Sequence, residues 1–364
     1  MLKYRNTEII DNKYLIEHYK SFDKNDLTDE IEIGKGDVGI VYKIKINNEI
    51  CALKLYKQSK NMNDIYTKII KDIIINYKTK YLIEQNICPN FVYYYYSNVI
   101  MDKLLRLEQI DYANLSIDKL KLNNYYFVME YCDGSLIDFF NDEHDLEIYR
   151  SCIFQICCAI YCLQKHVKIY HNDLSITNIM FKKIDKNSVF HYNINGIDYY
   201  VPTYGYLFVT IDFEDSIFFV KDNKPNHDFK YLMTLYTRPI KMLLRKNNIN
   251  TVDKLLDIMN TDKINIKKII DDVKHSYIYI NALTEKIKDN LIYTKLYHKA
   301  IEKSLFDYKK FYTRDTAEIV ELLKYYSDNI FKSKDPIDKL LYKYFPEFLD
   351  RPTKKDYNIV SFVM

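Results

Sequence analysis

The chain has 364 residues, of which 48% are hydrophobic, so it has enough apolar surface for a packed core and is not expected to be disordered. This length predicts two domains or one unit with two lobes. The formal net charge of +3 is too small to indicate binding to nucleic acid or to a membrane surface. The N-terminus is charged, and the longest apolar helical stretch, residues 152–163, is shorter than the roughly 20 residues that cross a bilayer. We therefore expect a soluble, cytoplasmic protein without a membrane span.

Seven cysteines are scattered along the chain without a paired framework, which is typical of a reducing compartment. Cys158, Cys162 and His166 are spaced to share one face of a helix, where a metal site is conceivable. Free cysteine packs as a small hydrophobic residue, so we favour a plain buried helix over a metal site.

The N-terminal part of the chain predicts a glycine-containing hairpin. Residues 1–27 are polar and charged, and they predict a short helical lead-in without chemistry. Three strand-like segments follow, at residues 31–33, 40–46 and 49–56, with Asn47-Asn48 as a tight turn. Gly34, Gly36 and Gly39 then lie in a hairpin, where the backbone can approach phosphate groups closely with its N–H groups free.

A lysine and two acids follow this hairpin. Lys54 lies on the third strand, 15 residues after Gly39. Residues 61–87 have the apolar periodicity of a long amphipathic helix, and this helix carries Asp72 and Glu84. Asp72 lies 18 residues after Lys54, and Glu84 lies 30 residues after it.

The rest of the chain alternates buried strands and helices. A charged insertion is expected at residues 101–124. The further predicted elements are a buried strand within 125–134, an apolar helix at 146–167, a hairpin insert near 183–206 with Asn195-Gly196 as its turn, and helices with an extended tail over 240–364.

Two short segments in the second half of the chain carry polar residues that are candidates for a site. His171-Asn172-Asp173 is followed by Asn178, five residues after the Asp. Asp212-Phe213-Glu214 follows an apolar strand, 34 residues after Asn178.

The glycine turn, Lys54, the Asp173/Asn178 loop and Asp212 resemble, in this order, the motif set of protein kinases. The resemblance covers roughly residues 28–240. It implies an α+β fold with two lobes: a small β-rich N-lobe at 28–132 and a mainly helical C-lobe at 133–364. It also implies ATP and Mg²⁺ as cofactors and a protein substrate as partner, with no nucleic acid.

The resemblance assigns a role to each matching residue. Asp173 is the expected catalytic base, Lys54 contacts the α- and β-phosphates, and Asn178 and Asp212 are the expected magnesium ligands. The resemblance also implies that an acid on the helix at 61–87 pairs with Lys54; Asp72 and Glu84 are the candidates, and we favour Asp72, because its interval is close to that of the family. Met129 takes the gatekeeper position. The residues expected to bind the nucleotide are Ile33, Gly34, Lys35, Gly36, Asp37, Val38, Gly39, Ile40, Val41, Ala52, Lys54, Asp72, Met129, Glu130 and Cys132, with backbone groups of Glu130 and Cys132 at the adenine edge.

Several residues depart from the protein-kinase pattern, and they indicate which group of kinases this chain resembles. Asn172 replaces the usual Arg that receives an activation-loop phosphate, and Glu214 replaces Gly. Only 15 residues separate Asp212 from Asp228, which resembles the acid that anchors the catalytic loop. This combination is similar to haspin-like atypical protein kinases and to kinases of large DNA viruses, including the poxvirus type. It implies activity without loop phosphorylation.

The composition is consistent with a viral source, and two rival functions stay open. Abundant Ile, Asn, Lys and Tyr with no Trp is associated with AT-rich genomes, so host cytoplasm or a virion is the expected location. Ile211–Glu214 and His-Asn-Asp are also similar to choline, ethanolamine and aminoglycoside kinases, which act on small molecules. A pseudokinase scaffold that binds nucleotide without turnover is the second rival. Ser175 stands where serine/threonine kinases carry Lys, so that position does not establish the acceptor.

Overall fold

The computed structural model describes residues 3–5, 31–36, 39–46, 49–56, 62–97, 125–142, 144–220, 224, 227–233, 235, 314–353 and 357–364. The chain divides into two compact units. The first comprises Met1–Phe139, Glu147–Leu232 and Lys332–Met364, and the second comprises Phe140–Leu146 and Met233–Phe331. The lobe boundary predicted near residue 132 lies within the first unit and stays a prediction. The Asn47-Asn48 turn, the 101–124 insertion, most of the lead-in and residues 240–313 lie outside the described residues.

A five-stranded antiparallel sheet lies in the first unit. Its strands are β1 (Ile31–Lys35), β2 (Gly39–Ile46), β3 (Glu49–Tyr56), β4 (Tyr94–Ser97) and β5 (Tyr126–Glu130), in the order β1-β2-β3-β5-β4. The central strand β3 is buried continuously from Cys51 to Tyr56, because it has a neighbour on each side and both of its faces are covered. The predicted strands are therefore present, and Lys54 lies in the middle of the sheet.

Helix α1 (Met62–Glu84) lies between β3 and β4 along the chain. Ile69, Ile70, Ile73 and Ile74 form its buried face, which has the spacing of an amphipathic helix. The helix ends three residues before the predicted end, and Asn86 then adopts a left-handed φ of 52°, a conformation that Asn tolerates well.

The described residues after 133 contain both helices and strands. The helices are α2 (Leu136–Phe139), α3 (Leu146–Cys162), α4 (Arg314–Tyr326) and α5 (Ile337–Tyr344). The strands are β6 (Gly134–Ser135), β7 (Ile169–Tyr170), β8 (Ile179–Lys183), β9 (Ser188–Ile194), β10 (Ile197–Pro202), β11 (Tyr206–Thr210), β12 (Ile217–Phe218) and β13 (Asn358–Val363). They form three small sheets, ordered β10-β9-β13, β11-β8-β6 and β12-β7. The fold is mixed α+β, with more strand in this part than the prediction of a mainly helical lobe implied.

The insert hairpin is formed as predicted. Strands β9 and β10 pair antiparallel, with Ile194 opposite Ile197. Asn195 and Gly196 make the turn with φ values of 51° and 82°, the positive values that a two-residue hairpin loop requires. The predicted extended tail is strand β13, which pairs parallel to β9.

Aromatic packing holds the hairpin and the tail segment against α3. The ring of Phe154 on α3 lies 5.7 Å from Tyr192 and 5.2 Å from Tyr199, and it also lies 5.2 Å from Phe345 and from Phe348. Such edge-to-face and tilted ring pairs add about 0.5–1.5 kcal/mol each beyond area burial. These ring contacts form a packed aromatic core between α3, the hairpin and the segment before β13.

The segment Leu146–Val167 is a core element by its burial. It comprises 22 residues and is long and apolar enough, by length and composition, to cross a membrane. However, 78% of its most apolar window is buried inside the protein, as in the core helix of a globular fold. It is the one helix of this kind among the described residues.

The second unit is described mainly by α4 and the π-helical turn Ser327–Phe331 that continues it. Ser327 Oγ donates to the backbone oxygen of Met233 over 2.6 Å. This bond connects the π-helical turn to the first residue of the Met233–Phe331 part of the unit.

Candidate active site

Lys54 lies at the centre of three carboxylates. Its Nζ atom is 2.7 Å from Asp72 Oδ2, 2.5 Å from Asp212 Oδ1 and 3.2 Å from Glu214 Oε2. Burial alone would lower the pKa of Lys54, but the charges of these three acids outweigh burial and raise the pKa. A charged ammonium group is therefore fixed where β3, α1 and the segment after β11 meet.

Of the two candidate acids on α1, Asp72 is the one that contacts Lys54. The Asp72 side chain is fully buried and also accepts a hydrogen bond from the hydroxyl of Tyr56 over 2.8 Å. Glu84 instead accepts a hydrogen bond from the hydroxyl of Tyr93 over 2.8 Å, at the far end of the helix. The short Asp side chain suffices because the helix lies close to the lysine.

The loop between β7 and β8 brings Asp173 and Asn178 together. Asn178 Nδ2 donates to the backbone oxygen of Asp173 over 2.8 Å and to its Oδ2 over 3.0 Å. Because the amide nitrogen faces Asp173, the amide oxygen is the atom that could bind a cation. Burial is the main cause that raises the pKa of Asp173, and His171 partly opposes it.

Asp228 anchors this loop, as the sequence predicted. Its fully buried carboxylate accepts the backbone N–H of His171 over 3.1 Å and that of Asn172 over 2.8 Å. Asn172 has a left-handed φ of 64°, and Asn is among the few residues that adopt this conformation readily. The imidazole of His171 donates through Nε2 to the backbone oxygen of Ile211 over 2.9 Å, because a carbonyl can only accept. This bond supports the loop and leaves His171 a structural residue.

Asp212 and Glu214 follow β11 and face the same cavity. Asp212 has a left-handed φ of 67°, and the backbone N–H of Phe213 donates to Asp72 Oδ1 over 3.0 Å, which fixes the turn. Burial raises the pKa of Glu214 to about 7, with Lys54 opposing the rise and Asp212 adding to it. Sequence reasoning treated Glu214 only as a departure from the family pattern. The structure adds it to the group around the lysine.

One cavity of about 690 Å³ joins most of the predicted site residues. Its lining includes Ile33, Gly34, Lys35, Gly36, Gly39, Val41, Ala52, Lys54, Met129, Glu130, Cys132, Asp173, Asn178 and Asp212. Ile40 and Asp72 are not in the lining, and Asp37 and Val38 lie outside the described residues. The size is within the range of about 300–1,000 Å³ typical of small-molecule sites.

The glycine turn at the edge of this cavity differs in one detail from the expectation. The backbone N–H of Gly36 donates to the oxygen of Gly39 over 2.9 Å, so it is not free for a phosphate, because it closes the hairpin. At Gly39, a Cβ atom would lie 3.0 Å from the backbone oxygen of Leu55 on the paired strand. Glycine is required there by the close approach of two strands.

A short segment after Asp212 is bonded to both α1 and the catalytic loop, which the sequence analysis did not foresee. Lys68 on α1 forms a 2.7 Å ion pair with Asp215, and Lys71 donates to the backbone oxygen of Ser216 over 2.9 Å. Asn172 Nδ2 donates to the backbone oxygen of Asp215 over 3.1 Å. No local signal identified Lys68, because its partner Asp215 belongs to a distant segment of the chain.

The only described group of acids, cysteines and histidines that could hold a metal ion is Asp72, Asp212 and Glu214, with one oxygen of each lying within 4.8 Å of the others. Within the described part of the chain, Cys158, Cys162 and His166 do not form such a group. All seven cysteines are free and buried, and burial raises the thiol pKa of Cys158 and Cys162. Cys158 and Cys162 are buried on α3, as expected for core positions of a helix, whereas His166 is exposed in the π-helical turn that follows.

Comparison with known proteins gives two viral relatives. One is named a "probable serine/threonine-protein kinase" of Invertebrate iridescent virus 6, and it is 27% identical over 189 residues, which are 50% of this chain and 35% of that protein. The other is an uncharacterized protein of Invertebrate iridescent virus 3, 29% identical over 153 residues, which are 40% of this chain and 20% of that protein. The chain thus spans about a third and a fifth of the lengths of these relatives. No protein-family model matches the chain.

Proposed function

We propose that this chain is an ATP- and Mg²⁺-dependent protein kinase that transfers a phosphoryl group to serine or threonine hydroxyls of a protein substrate. The observation that carries the proposal is the Lys54–Asp72 ion pair, whose lysine lines the same cavity as Asp173, Asn178 and Asp212. Phosphoryl transfer relies on positioning and charge, and these residues supply both. Similarity to a viral protein named a probable serine/threonine-protein kinase supports the acceptor class.

The proposal includes a two-lobed protein-kinase-like fold with lobes at residues 28–132 and 133–364. On the nucleotide side, the backbone N–H of Glu130 already donates to the oxygen of Tyr93 over 2.8 Å. Glu130 and Cys132, two residues further along, both line the cavity, and backbone groups of this segment are proposed to contact the adenine edge. Lys54 faces the phosphates, and a phosphate oxygen takes over the contact that Asp212 now makes.

Asp173 orients the acceptor hydroxyl. Its carboxylate accepts a hydrogen bond from the hydroxyl and directs the oxygen in line with the γ-phosphorus. Asn178 holds this carboxylate in place through the bond from its Nδ2 atom. Asp228, from behind, keeps the loop in the conformation that presents Asp173.

The donor set suits a hard cation such as Mg²⁺, because it consists of oxygen atoms alone. Asp212 and Asn178 are the residues that would hold the ion, and Glu214 is close enough to contribute a third oxygen. Bound magnesium supplies positive charge that offsets the charge of the phosphates. Asp212→Asn should then abolish magnesium-dependent turnover while the fold remains intact, and full activity in this variant would contradict the metal assignment.

The proposed kinase works without phosphorylation of the segment after Asp212. This segment is tied to α1 through Lys68 and to the catalytic loop through Asn172, and both bonds end on Asp215. Strand pairing of β12 with β7 adds a backbone connection to the same loop. These bonds supply the order that an added phosphate would otherwise provide.

A small-molecule kinase is the second candidate, and the acids in the cavity favour it. Asp173, Asp212, Glu214 and Asp215 all line the cavity, and such a wall would attract an acceptor that carries an amine. The Ile-Asp-Phe-Glu order around Asp212 is shared with choline-type kinases. The two candidates differ in the acceptor and not in the phosphate chemistry.

The deciding experiment measures transfer of label from γ-labelled ATP with Mg²⁺. Acceptors are histone, casein, the protein itself and a set of small amino alcohols. Wild type is compared with Asp173→Asn and with Asp198→Asn, a matched control on the exposed hairpin that also loses one carboxylate. We expect label in protein with wild type and with the control, and none with Asp173→Asn. Residue analysis then separates serine and threonine from tyrosine.

The other outcomes are equally informative. Label in amino alcohols alone would favour the small-molecule kinase. Binding of ATP with no transfer to any acceptor would favour the pseudokinase scaffold. Equal activity in wild type and Asp173→Asn would refute the assignment of the catalytic residue.

A further inference from the structure

A fully buried arginine from the N-terminal segment lies behind the wall of the nucleotide cavity. Arg5 ends the short 3-10 turn Lys3–Arg5 and has 0% of its surface exposed. Its Nη1 donates to the backbone oxygen of Pro89 over 2.6 Å, and its Nη2 donates to that of Phe91 over 2.6 Å. The sequence analysis assigned no chemistry to this segment.

The same guanidinium group forms an ion pair with Glu130, the last residue of β5. Nη2 donates to Glu130 Oε1, and Nε lies 3.4 Å from Oε2. Burial alone would raise the pKa of Glu130, but Arg5 and Lys182 outweigh burial and lower it to about 2. The carboxylate therefore remains charged inside the protein.

Glu130 connects three parts of the chain through this carboxylate. Lys182 on β8 donates to Oε2 over 2.9 Å, and the backbone N–H of Tyr93 donates to Oε1 over 2.7 Å. Glu130 and Met129 line the cavity from β5, and Met180 lines it from β8, two residues before Lys182. The separation of β5 and β8 thus depends on the Glu130 carboxylate, which binds both Lys182 and Arg5.

A gain in folding stability alone is a weak explanation for the buried charges around Glu130. Desolvation of buried charges offsets most of their attraction, and buried ion pairs are often replaceable by apolar residues without loss. The structure places four directed donors on one carboxylate instead, and the bidentate geometry of Arg fixes orientation as well as charge. This is the pattern of a residue that positions a binding site.

We infer that Arg5 is a positioning residue for the nucleotide, which sets the spacing between β5 and β8 where the base binds. The inference rests on the proposed nucleotide site. Arg5 touches neither the phosphates nor the acceptor, so its effect is confined to the base. Two ligands separate these contributions: ATP, which has a base, and inorganic tripolyphosphate, which has none.

The test compares wild type with Arg5→Met, Arg5→Lys and the control Arg150→Met, whose arginine pairs with Glu147 and Glu347 near the surface. Affinities for Mg-ATP and Mg-tripolyphosphate are measured by calorimetry on the full chain, together with KM, kcat and the melting temperature. We expect Arg5→Met to weaken ATP binding and raise KM by about tenfold, which is about 1.4 kcal/mol and corresponds to the loss of roughly one hydrogen bond at the base. Tripolyphosphate affinity and kcat should change less than about twofold, and Arg5→Lys should recover part of the loss.

Several results would overturn the inference. A lower melting temperature with unchanged ATP affinity would make Arg5 purely structural, and an equal loss for ATP and tripolyphosphate would mean that the whole site is disturbed. If Arg5→Met does not fold, Arg5→Lys and Glu130→Gln are measured instead, and each must lose ATP affinity selectively. Failure of the wild type to bind ATP would refute the proposed function, and that outcome is distinct from wild-type binding that is insensitive to Arg5.

Discussion

The anchor of the catalytic loop allows a quantitative prediction. In Asp228→Asn, one carboxylate oxygen that accepts a backbone N–H becomes an NH₂ group, which is a donor facing a donor. The side chain is fully buried and now accepts from His171 and Asn172 over 3.1 and 2.8 Å. Hydrogen bonds to a charged group contribute about 1.5–3 kcal/mol each, and the variant keeps one of the two in a weaker neutral form. The expected loss in the free energy of unfolding is therefore about 2–3 kcal/mol.

Activity should fall further than stability suggests. The lost contact and the weakened one hold the residues immediately before Asp173, and misplacement of a reacting group by about 1 Å costs roughly 100-fold in rate. We expect kcat to fall by about that factor while the KM for ATP changes little, because Asp228 does not line the nucleotide cavity.

Urea denaturation followed by far-UV circular dichroism measures the first effect, and steady-state phosphoryl transfer measures the second. Asp198→Asn is the matched control, because Asp198 also accepts two side-chain donors, His191 over 2.9 Å and Asn193 over 2.7 Å, but is about half exposed. The Asp198→Asn variant should lose less than about 1 kcal/mol in the free energy of unfolding. A loss in Asp228→Asn no larger than in the control, with kcat unchanged, would refute the anchoring argument.

Three further predictions follow from the same network. Asp72→Ala should reduce kcat at least tenfold more than Glu84→Ala, since only Asp72 bonds Lys54; the reverse ranking would assign the pairing to Glu84. Ionisation of Glu130 should add roughly 3 kcal/mol of stability, relative to its protonated form, above its ordinary pKa of 4.5, and this increment should disappear as pH falls toward about 2; urea titrations of Glu130→Gln that run parallel to wild type across this pH range would contradict it. The seven buried cysteines should react with Ellman's reagent only after unfolding, and rapid native labelling would contradict their burial.

Local patterns predicted the elements that depend on local chemistry. The strand Glu49–Tyr56 and the Asn195-Gly196 turn follow from alternation and turn chemistry, and the structure has both. Helix α1 was predicted within three residues at its C-terminal end, because its apolar spacing is regular. These features need only a few neighbouring residues to be specified.

The resemblance indicated one distant contact, that of Asp228 with the His171 loop, but others were not predicted. Arg5 and Glu130 are 125 positions apart, and nothing in a polar lead-in indicates that one arginine becomes buried. The ion pair of Lys68 with Asp215 and the position of Glu214 beside Lys54 also arise only when separate segments fold together. The expectation that the backbone N–H of Gly36 is free was also wrong. This N–H donates to the backbone oxygen of Gly39 within the same turn.

The parallel pairing of β13 with β9 has a consequence for synthesis of the chain. His191 and Ser361, which are bonded across these strands, are 170 positions apart. At roughly 5–20 residues per second, the hairpin emerges from the ribosome roughly 10–30 seconds before its third strand exists. During that interval β9 presents an open edge that can template pairing with another chain. Nascent chains that carry this hairpin are therefore vulnerable to aggregation until the last strand arrives to cover that edge.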